Sequence, residues 1–234
     1  MINDKSRPVI FIGTNSNLLK LVELCERLGI VVGGIVDDDY AGVGQYKGIK
    51  VLGPESYIEQ DPGITNCFQF ICATNWVPDS YAIAERNRIK RQRQLKLIQD
   101  LGLRTATLVA PLATVSKHAM LGQGVIVWDH ATIEPEVTVG NYSQIYDYAV
   151  IGHESAIGTN VVIQRYCLVT SLVTIEDDVY LGLRSAVSRS GTVVATNTFL
   201  HPEIMLLRNT HAGEVVGLAG KDLRKAYHRP STEQ

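Results

Sequence analysis

The chain has 234 residues and a formal net charge of −2 at pH 7, enough for one large domain or two small ones, with no basic excess that would make nucleic acid an expected partner. Met1-Ile2-Asn3-Asp4-Lys5 opens without the apolar core of a signal peptide, and no apolar run is long enough to span a bilayer. Cys25, Cys67, Cys72 and Cys167 lack metal-ligand spacing, so the expectation is a cytoplasmic protein with buried thiols, no metal and no membrane insertion.

Residues 1–110 read as alternating strands and helices. Pro8 to Gly13 is a short apolar run of the kind that forms a buried parallel strand. Leu18, Leu19, Val22, Leu24 and Leu28 give helical periodicity over Asn15 to Leu28, and Gly29 ends it. Ile30 to Val36 is a second buried strand, closing at Asp37-Asp38-Asp39. Tyr46 to Leu52 is polar around a Lys47-Gly48 turn, Pro54 to Gln60 is a short helix, and Phe68 to Ala73 is a third strand. Asp79 to Gly102 is a long polar helix carrying Arg86, Arg88, Lys90, Arg91, Arg93 and Lys96, with Glu85 and Asp100 interleaved. Charges spread in this way predict a solvated face; a contact with a phosphate or a subunit is the alternative. Ala106 to Val109 is expected as a fourth strand, and Pro111 closes the unit. The alternation predicts a small parallel α/β domain.

Two features of this domain carry chemistry. A strand, then Gly13-Thr14-Asn15-Ser16-Asn17, then a helix offers backbone N–H groups to a phosphate, although the full G-x-G-x-x-G fingerprint is absent. Asp37 and Asp38 end the second strand, where a doubly wound fold places an acid for a ribose; a polar loop with capping aspartates is the alternative. Gly13, Thr14, Asn15, Asp37 and Asp38 are therefore the candidate nucleotide contacts. No dehydrogenase constellation follows, so nicotinamide chemistry is not expected.

Residues 111–234 follow a different rule. Every sixth residue is apolar from Val115 through Leu121, Val127 and Ile133 to Val187, Val193, Phe199 and Met205, with no slip in the period. Four residues after each, from Ala119 to Gly191, comes a small or slim one, among them Ala131, Ser143, Ala149, Ser155, Cys167 and Ser185. A six-residue period fits neither a helix nor a hairpin sheet and predicts a solenoid of short parallel strands. Three hexads, about 18 residues, close one triangular coil, with the large aliphatic residue inside and the small one near the corner. Roughly fifteen hexads make about five coils, each burying its face only against its neighbours.

Of the six histidines, His153 stands out. It lies two positions past the inward Ile151, so it points outward, beside the carboxylate of Glu154. An imidazole oriented by an acid can act as a general base; an ordinary surface histidine next to a glutamate is the alternative. The expected stacking puts Pro135, His153, Ser171 and Arg189 in one column, and Asp147, Arg165, Leu183 and His201 in another.

The hexads resemble the left-handed β-helix of hexapeptide-repeat acyltransferases. The chain from about residue 8 to residue 224 is similar to bacterial nucleotide-aminosugar N-acetyltransferases and their sialic acid O-acetyltransferase relatives. The matches are the strand–Gly13 turn, Val36-Asp37-Asp38-Asp39 with Gly48-Ile49-Lys50-Val51-Leu52-Gly53, the His153–Glu154 pair before Ile157-Gly158, and Val215-Val216-Gly217-Leu218-Ala219-Gly220-Lys221. The resemblance implies a Rossmann-like nucleotide-sugar-binding domain followed by a left-handed β-helix, a homotrimer, and acetyl-CoA as co-substrate. It implies His153 as base and Glu154 as its orienting acid, a backbone N–H at Ser171 for the thioester oxygen, and Val162, Leu183, His201 and Lys221 along the acetyl-CoA path. The implied reaction is N-acetylation of a nucleotide-linked amino sugar for glycan biosynthesis. O-acetylation of a sialic-acid-type sugar, or a catalytically idle nucleotide-sugar-binding scaffold, is the alternative. The chain departs from its relatives at Asn15-Ser16-Asn17 in place of a glycine-rich turn with a histidine, at Val162 in place of a second active-site histidine, at Arg165-Tyr166 in place of a Pro-Gly corner, and at Ala219 in place of a proline.

Overall fold

The computed structural model describes residues 2–74 and 81–217. It divides the chain into two compact units, one built on Asn3–Ala106 and the other beginning at Thr107. The first unit runs β1 (Val9–Ile12), α1 (Leu18–Arg27), β2 (Val32–Val36), β3 (Gln45–Tyr46), β4 (Ile49–Gly53), α2 (Tyr57–Gln60), α3 (Pro62–Cys67), β5 (Gln69–Cys72) and α4 (Tyr81–Asp100).

The sheet order is β3-β4-β2-β1-β5, with every pair parallel except the β3–β4 hairpin at Lys47-Gly48. β1 lies between two strands and is covered on both faces, which is why Val9–Ile12 is an unbroken apolar run with every residue buried. The chain steps outward from β1 to β2 and β4, then returns to β5 on the other side of β1. That reversal opens a crevice at the carboxyl ends of β1 and β5.

Helix α1 starts later than its apolar pattern suggests. Asn15 folds its own turn, accepting a hydrogen bond from the Asn17 N–H at 2.6 Å, so the first helical residue is Leu18. The helix stops where Gly29 predicted. Gly29 takes a φ of +68°, which its missing side chain allows; its N–H donates to Glu26 O, and the Ile30 N–H donates to Cys25 O. This is the double bond pattern that satisfies the last carbonyls of a helix. The short helix α3 was not expected; Asp61 caps it by accepting from the Gly63 N–H at 2.9 Å. Cys67 is exposed, against expectation, because it lies on this helix and outside the sheet, while Cys25, Cys72 and Cys167 are buried thiols.

The second unit forms three stacked parallel sheets of six, five and seven short strands, which fit the expected β-helix. Thr132-Ile133 pairs with Val150-Ile151, and that strand pairs with Leu168-Val169. Val127, Ile133, Ile145, Ile151, Ile163, Val169, Leu181 and their equivalents stack as one aliphatic core. Successive corners hold a residue in the left-handed region, including Tyr148, Glu154, Asn160, Tyr166, Leu172, Asp178 and Arg184, with φ between 56° and 62°. Such a conformation costs an L-residue about 1–2 kcal/mol. Each corner is held by a bond to the neighbouring coil, as in Glu154 N–H to Pro135 O at 3.1 Å and Tyr166 N–H to Asp147 O at 3.1 Å.

Two expectations are corrected. Leu108-Val109 is not a fourth strand of the first unit; it pairs with Ile126-Val127 as the first rung of the solenoid, one hexad before Val115. The period also slips once. The corner Arg189-Ser190-Gly191 holds one residue more than its counterparts, so Thr174-Ile175 pairs with Val193-Val194. From there the inward residues are Val194, Leu200 and Leu206, and Thr192 replaces Gly191 as the small inward residue. Met205 is 66% exposed where the strict period had it inside, and Leu206 is 3% exposed. Val193-Val194, Phe199-Leu200 and Met205-Leu206 are apolar at both positions, so an unslipped period stays apolar while the strand has turned over.

Glycines after the strands do a different job from glycines at the corners. A Cβ on Gly140 would lie 2.5 Å from Gly158 C and 2.6 Å from Gly158 O, backbone atoms of the next coil that cannot yield. A Cβ on Gly191 would meet nothing within 4 Å. Gly140→Ala should therefore lower stability by about 1–3 kcal/mol. Gly191→Asn should stay within about 0.5 kcal/mol of the parent, since asparagine tolerates the left-handed region. Denaturant unfolding of the two variants compares them directly.

Candidate active site

His153 sits on the corner between the strands Val150–Ile151 and Ala156–Ile157. Gly152 lets this corner press against the coil above: a Cβ there would lie 2.6 Å from Ser171 N and 2.8 Å from Thr170 C. Ser155 ties the corner from inside, donating to Thr170 O at 3.1 Å and accepting from the Val173 N–H at 3.2 Å. The His153 N–H donates to Glu134 Oε2 at 2.8 Å, and the Leu172 N–H donates to His153 O at 3.0 Å. The backbone of His153 is thus held from both neighbouring coils.

The left-handed turn at Glu154, φ 57°, brings its carboxylate beside the imidazole. His153 Nδ1 and Glu154 Oε1 are 3.1 Å apart, and both side chains are half exposed. With the proton on Nδ1 donated to Glu154, Nε2 keeps its lone pair and can accept a proton. One coil above, the N–H of Ser171 has no acceptor among the described residues. The cause lies in the sequence: Glu134 reaches up to the His153 N–H, whereas the residue in the matching place below Ser171 is Gly152, which has no side chain. The corner therefore offers a proton acceptor and an unused backbone donor.

The slip at Gly191 rearranges the expected columns. Ser171 stands above His153 as expected, and the next corner up is the three-residue Arg189-Ser190-Gly191, whose Gly191 N–H bonds Leu172 O. Asp147, Arg165 and Leu183 do stack, joined by Arg165 Nε to Asp147 Oδ2 at 3.1 Å, but the next member is Pro202. His201 belongs to the neighbouring column, above Trp128, Tyr146, Gln164 and Gly182. It packs edge-on against Phe199 with centroids 5.0 Å apart, and burial pushes its imidazole pKa down. Val162 lies on the third sheet between Gln144 and Tyr180 and is fully buried. Lys221 and the rest of the closing motif from Leu218 lie outside the described residues.

In the first unit, a cleft of about 670 Å³ opens at the carboxyl ends of the strands, lined among others by Thr14, Asn15, Asp38, Asp39, Lys90 and Arg93. Asp37 is not on its wall. It is fully buried, with Oδ2 accepting from Thr14 Oγ1 at 2.9 Å and Oδ1 accepting from Lys90 Nζ at 2.6 Å and the Asp39 N–H at 3.0 Å. A buried carboxylate needs such partners, and Asp37 is thereby a support of the cleft. Asp38 accepts from the Glu55 N–H at 2.9 Å and from Arg93 at 2.9 Å, and Arg93 also reaches Glu55 at 3.1 Å. Gly13 faces Thr74 and Gln94, and Asn15 donates to Ala73 O.

Helix α4 is not the solvated face its charge pattern suggested. Arg86, Lys90 and Arg93 line the cleft, and Arg91 is 1% exposed, donating to Cys72 O at 3.0 Å and Thr74 O at 2.7 Å. Burial acts to lower the Lys90 pKa, but hydrogen bonds and charge from Asp37 and Asp39 outweigh it and the net shift is upward. The same hydrogen bond from Lys90 holds the Asp39 carboxyl below the usual range. Burial pushes Glu55 up, opposed by the hydrogen bond from Gln94. Among the described residues no group of three His, Cys, Asp or Glu side chains could hold a metal ion, and no helix is long and apolar enough to cross a membrane.

No protein-family model matches the chain, and no curated protein aligns with it at a significant level. Solved structures do match. WeeI from Acinetobacter baumannii AYE superposes with a TM-score of 0.75 at 14% identity, over 90% of this chain and 97% of that one. The acetyltransferase domain of PglB from Neisseria gonorrhoeae FA1090 superposes with a TM-score of 0.51 at 20% identity, over 88% and 94% of the two chains. The same domain in complex with acetyl coenzyme A aligns at 20% identity over 91% of each chain, with a TM-score of 0.42. The chain shares the fold of WeeI and of the PglB acetyltransferase domain.

Proposed function

We propose that the protein is an acetyl-CoA-dependent N-acetyltransferase, acting as a homotrimer in the cytoplasm on the amino group of a nucleotide-linked amino sugar in glycan biosynthesis. The observation that carries this reading is the corner of the second unit, where the His153–Glu154 pair stands one coil below the unused N–H of Ser171. The likeness of fold to an acetyltransferase domain points the same way. In this reading the second unit is a left-handed β-helix and the first is a Rossmann-like domain that holds the nucleotide in its cleft.

The neutral amine of the sugar attacks the thioester carbonyl of acetyl-CoA, forming the C–N bond. His153 Nε2 takes the amine proton, and Glu154 stabilises the imidazolium that results. The negative charge that develops on the carbonyl oxygen meets the Ser171 N–H, a donor that needs no rearrangement to serve. The tetrahedral intermediate collapses with cleavage of the C–S bond, and the CoA thiolate leaves and takes the proton from His153. Acetyl-CoA lies along the corner that carries Ser171, with Val162, Leu183, His201 and Lys221 the further candidate contacts. Exposed Leu168 and Leu172 flank the His153 corner and give a second copy an apolar surface to cover.

His153→Ala should cost about 10²- to 10⁴-fold in the rate of CoA thiol release while the protein still folds, since Ile151 and Ile157 remain in the core. Glu154→Ala should cost less, because it acts only through the imidazole. Activity within a few-fold of the parent in folded His153→Ala would remove the base assignment. Light scattering of the active enzyme should report a trimer, and an active, strictly monomeric species would contradict the proposed assembly.

A further inference from the structure

The cleft of the first unit contains more charge than its ion pairs use. Asp37 and Asp38 have both carboxylate oxygens occupied by Thr14, Lys90, the Asp39 N–H, the Glu55 N–H and Arg93. The side chains of the turn after β1 are also committed, Thr14 to Asp37 and Asn15 to Ala73 O and the Asn17 N–H. Four groups on the wall remain open. Asp39 is 69% exposed and uses Oδ2 for Lys90 at 2.7 Å, leaving Oδ1 without a partner among the described residues. Arg86 is exposed and has no acceptor among them. Lys47 has no carboxylate partner; its ammonium lies 5.6 Å from the Tyr46 ring centroid. Tyr46 packs on Tyr40 with centroids 4.2 Å apart and planes at 41°, both half-buried.

We propose that these residues are the specificity subsite for a nucleoside diphosphate, with Arg86 and Lys47 binding the two phosphates, Asp39 Oδ1 accepting a ribose hydroxyl, and the Tyr40–Tyr46 pair walling the base. This rests on the reading of the first unit as the nucleotide-binding domain. The charge argument decides which residues serve. Lys90 and Arg93 each bridge two carboxylates, so an arriving phosphate would have to break those pairs to use them. Arg86 and Lys47 meet it without that loss, and a guanidinium can bind phosphate oxygens in pairs. The assignment moves the ribose contact from Asp37 and Asp38 to Asp39, and the phosphate contact from the turn after β1 to the hairpin and helix α4.

The test is isothermal titration of the full chain with UDP, GDP, their monophosphates and acetyl-CoA. The parent should bind at least one diphosphate more tightly than its monophosphate. Arg86→Gln and Lys47→Gln should each weaken that diphosphate about tenfold, as expected for one lost charge-assisted contact, and narrow its advantage over the monophosphate. Asp39→Asn should weaken diphosphate and monophosphate alike. Acetyl-CoA affinity should not change in any of the three, and melting temperature should not change in Arg86→Gln or Lys47→Gln. A parent that binds diphosphate with variants that bind it equally well overturns this subsite and leaves the proposed function standing. A parent that binds neither diphosphate overturns the nucleotide-linked substrate itself, and the subsite with it.

Discussion

The stack of aliphatic side chains inside the coils, held at the spacing of a parallel backbone ladder, is the constraint on which the second unit depends. Each hexad supplies one inward Val, Ile or Leu, and no single coil can bury it alone. At Gly140, Gly152 and Gly182 the ladder brings neighbouring backbones so close that a Cβ has no room. It also makes each corner turn sharply, and the left-handed residue there is the result. The chemistry of the His153 corner follows from these two facts. The left-handed turn aims the Glu154 carboxylate back at the imidazole, and the bare Gly152 leaves the Ser171 N–H unclaimed.

The first unit is organised around a different necessity. Asp37 ends β2 with no access to water, and a buried carboxylate is stable only with charge and hydrogen-bond partners. Thr14 reaches it from the turn after β1, and Lys90 reaches it from helix α4. Lys90 carries the connection on to Asp39, while Arg93 ties Asp38 to Glu55. One network thus fixes the turn, the end of β2 and the long helix around a single opening. The side chains of Thr14 and Asn15 are structural ties of the turn after β1.

Sequence reading was strongest where one physical rule acts locally. Gly29 announced its helix end because only a residue without a side chain completes that bond pattern cheaply. The outward direction of His153 followed from its distance to Ile151, since a hexad repeats its inside and outside faithfully. The reading failed where two alternatives satisfied the same rule. Leu108-Val109 is a short apolar strand in either unit, and only its pairing with Ile126-Val127 assigns it. The basic helix looked solvated because Arg91 and Lys90 carry no mark of burial in the sequence; their partners come from the loop after β2, the end of β5 and the segment after it.

The sequence by itself determined the two-part plan, the coil period, the inward residues up to Val187 and the pairing of His153 with Glu154, because each depends on neighbours a few residues apart. The tertiary structure alone decided the slip at Gly191, which moved His201 out of the Leu183 column, since both members of Val193-Val194, Phe199-Leu200 and Met205-Leu206 suit the core. It alone decided which acids of Asp37-Asp38-Asp39 are consumed and which retains a free oxygen, because those partners arrive from helix α4, more than fifty positions away in the chain. A period is written in local spacing, whereas the saturation of a carboxylate depends on what the fold brings to it from a distance.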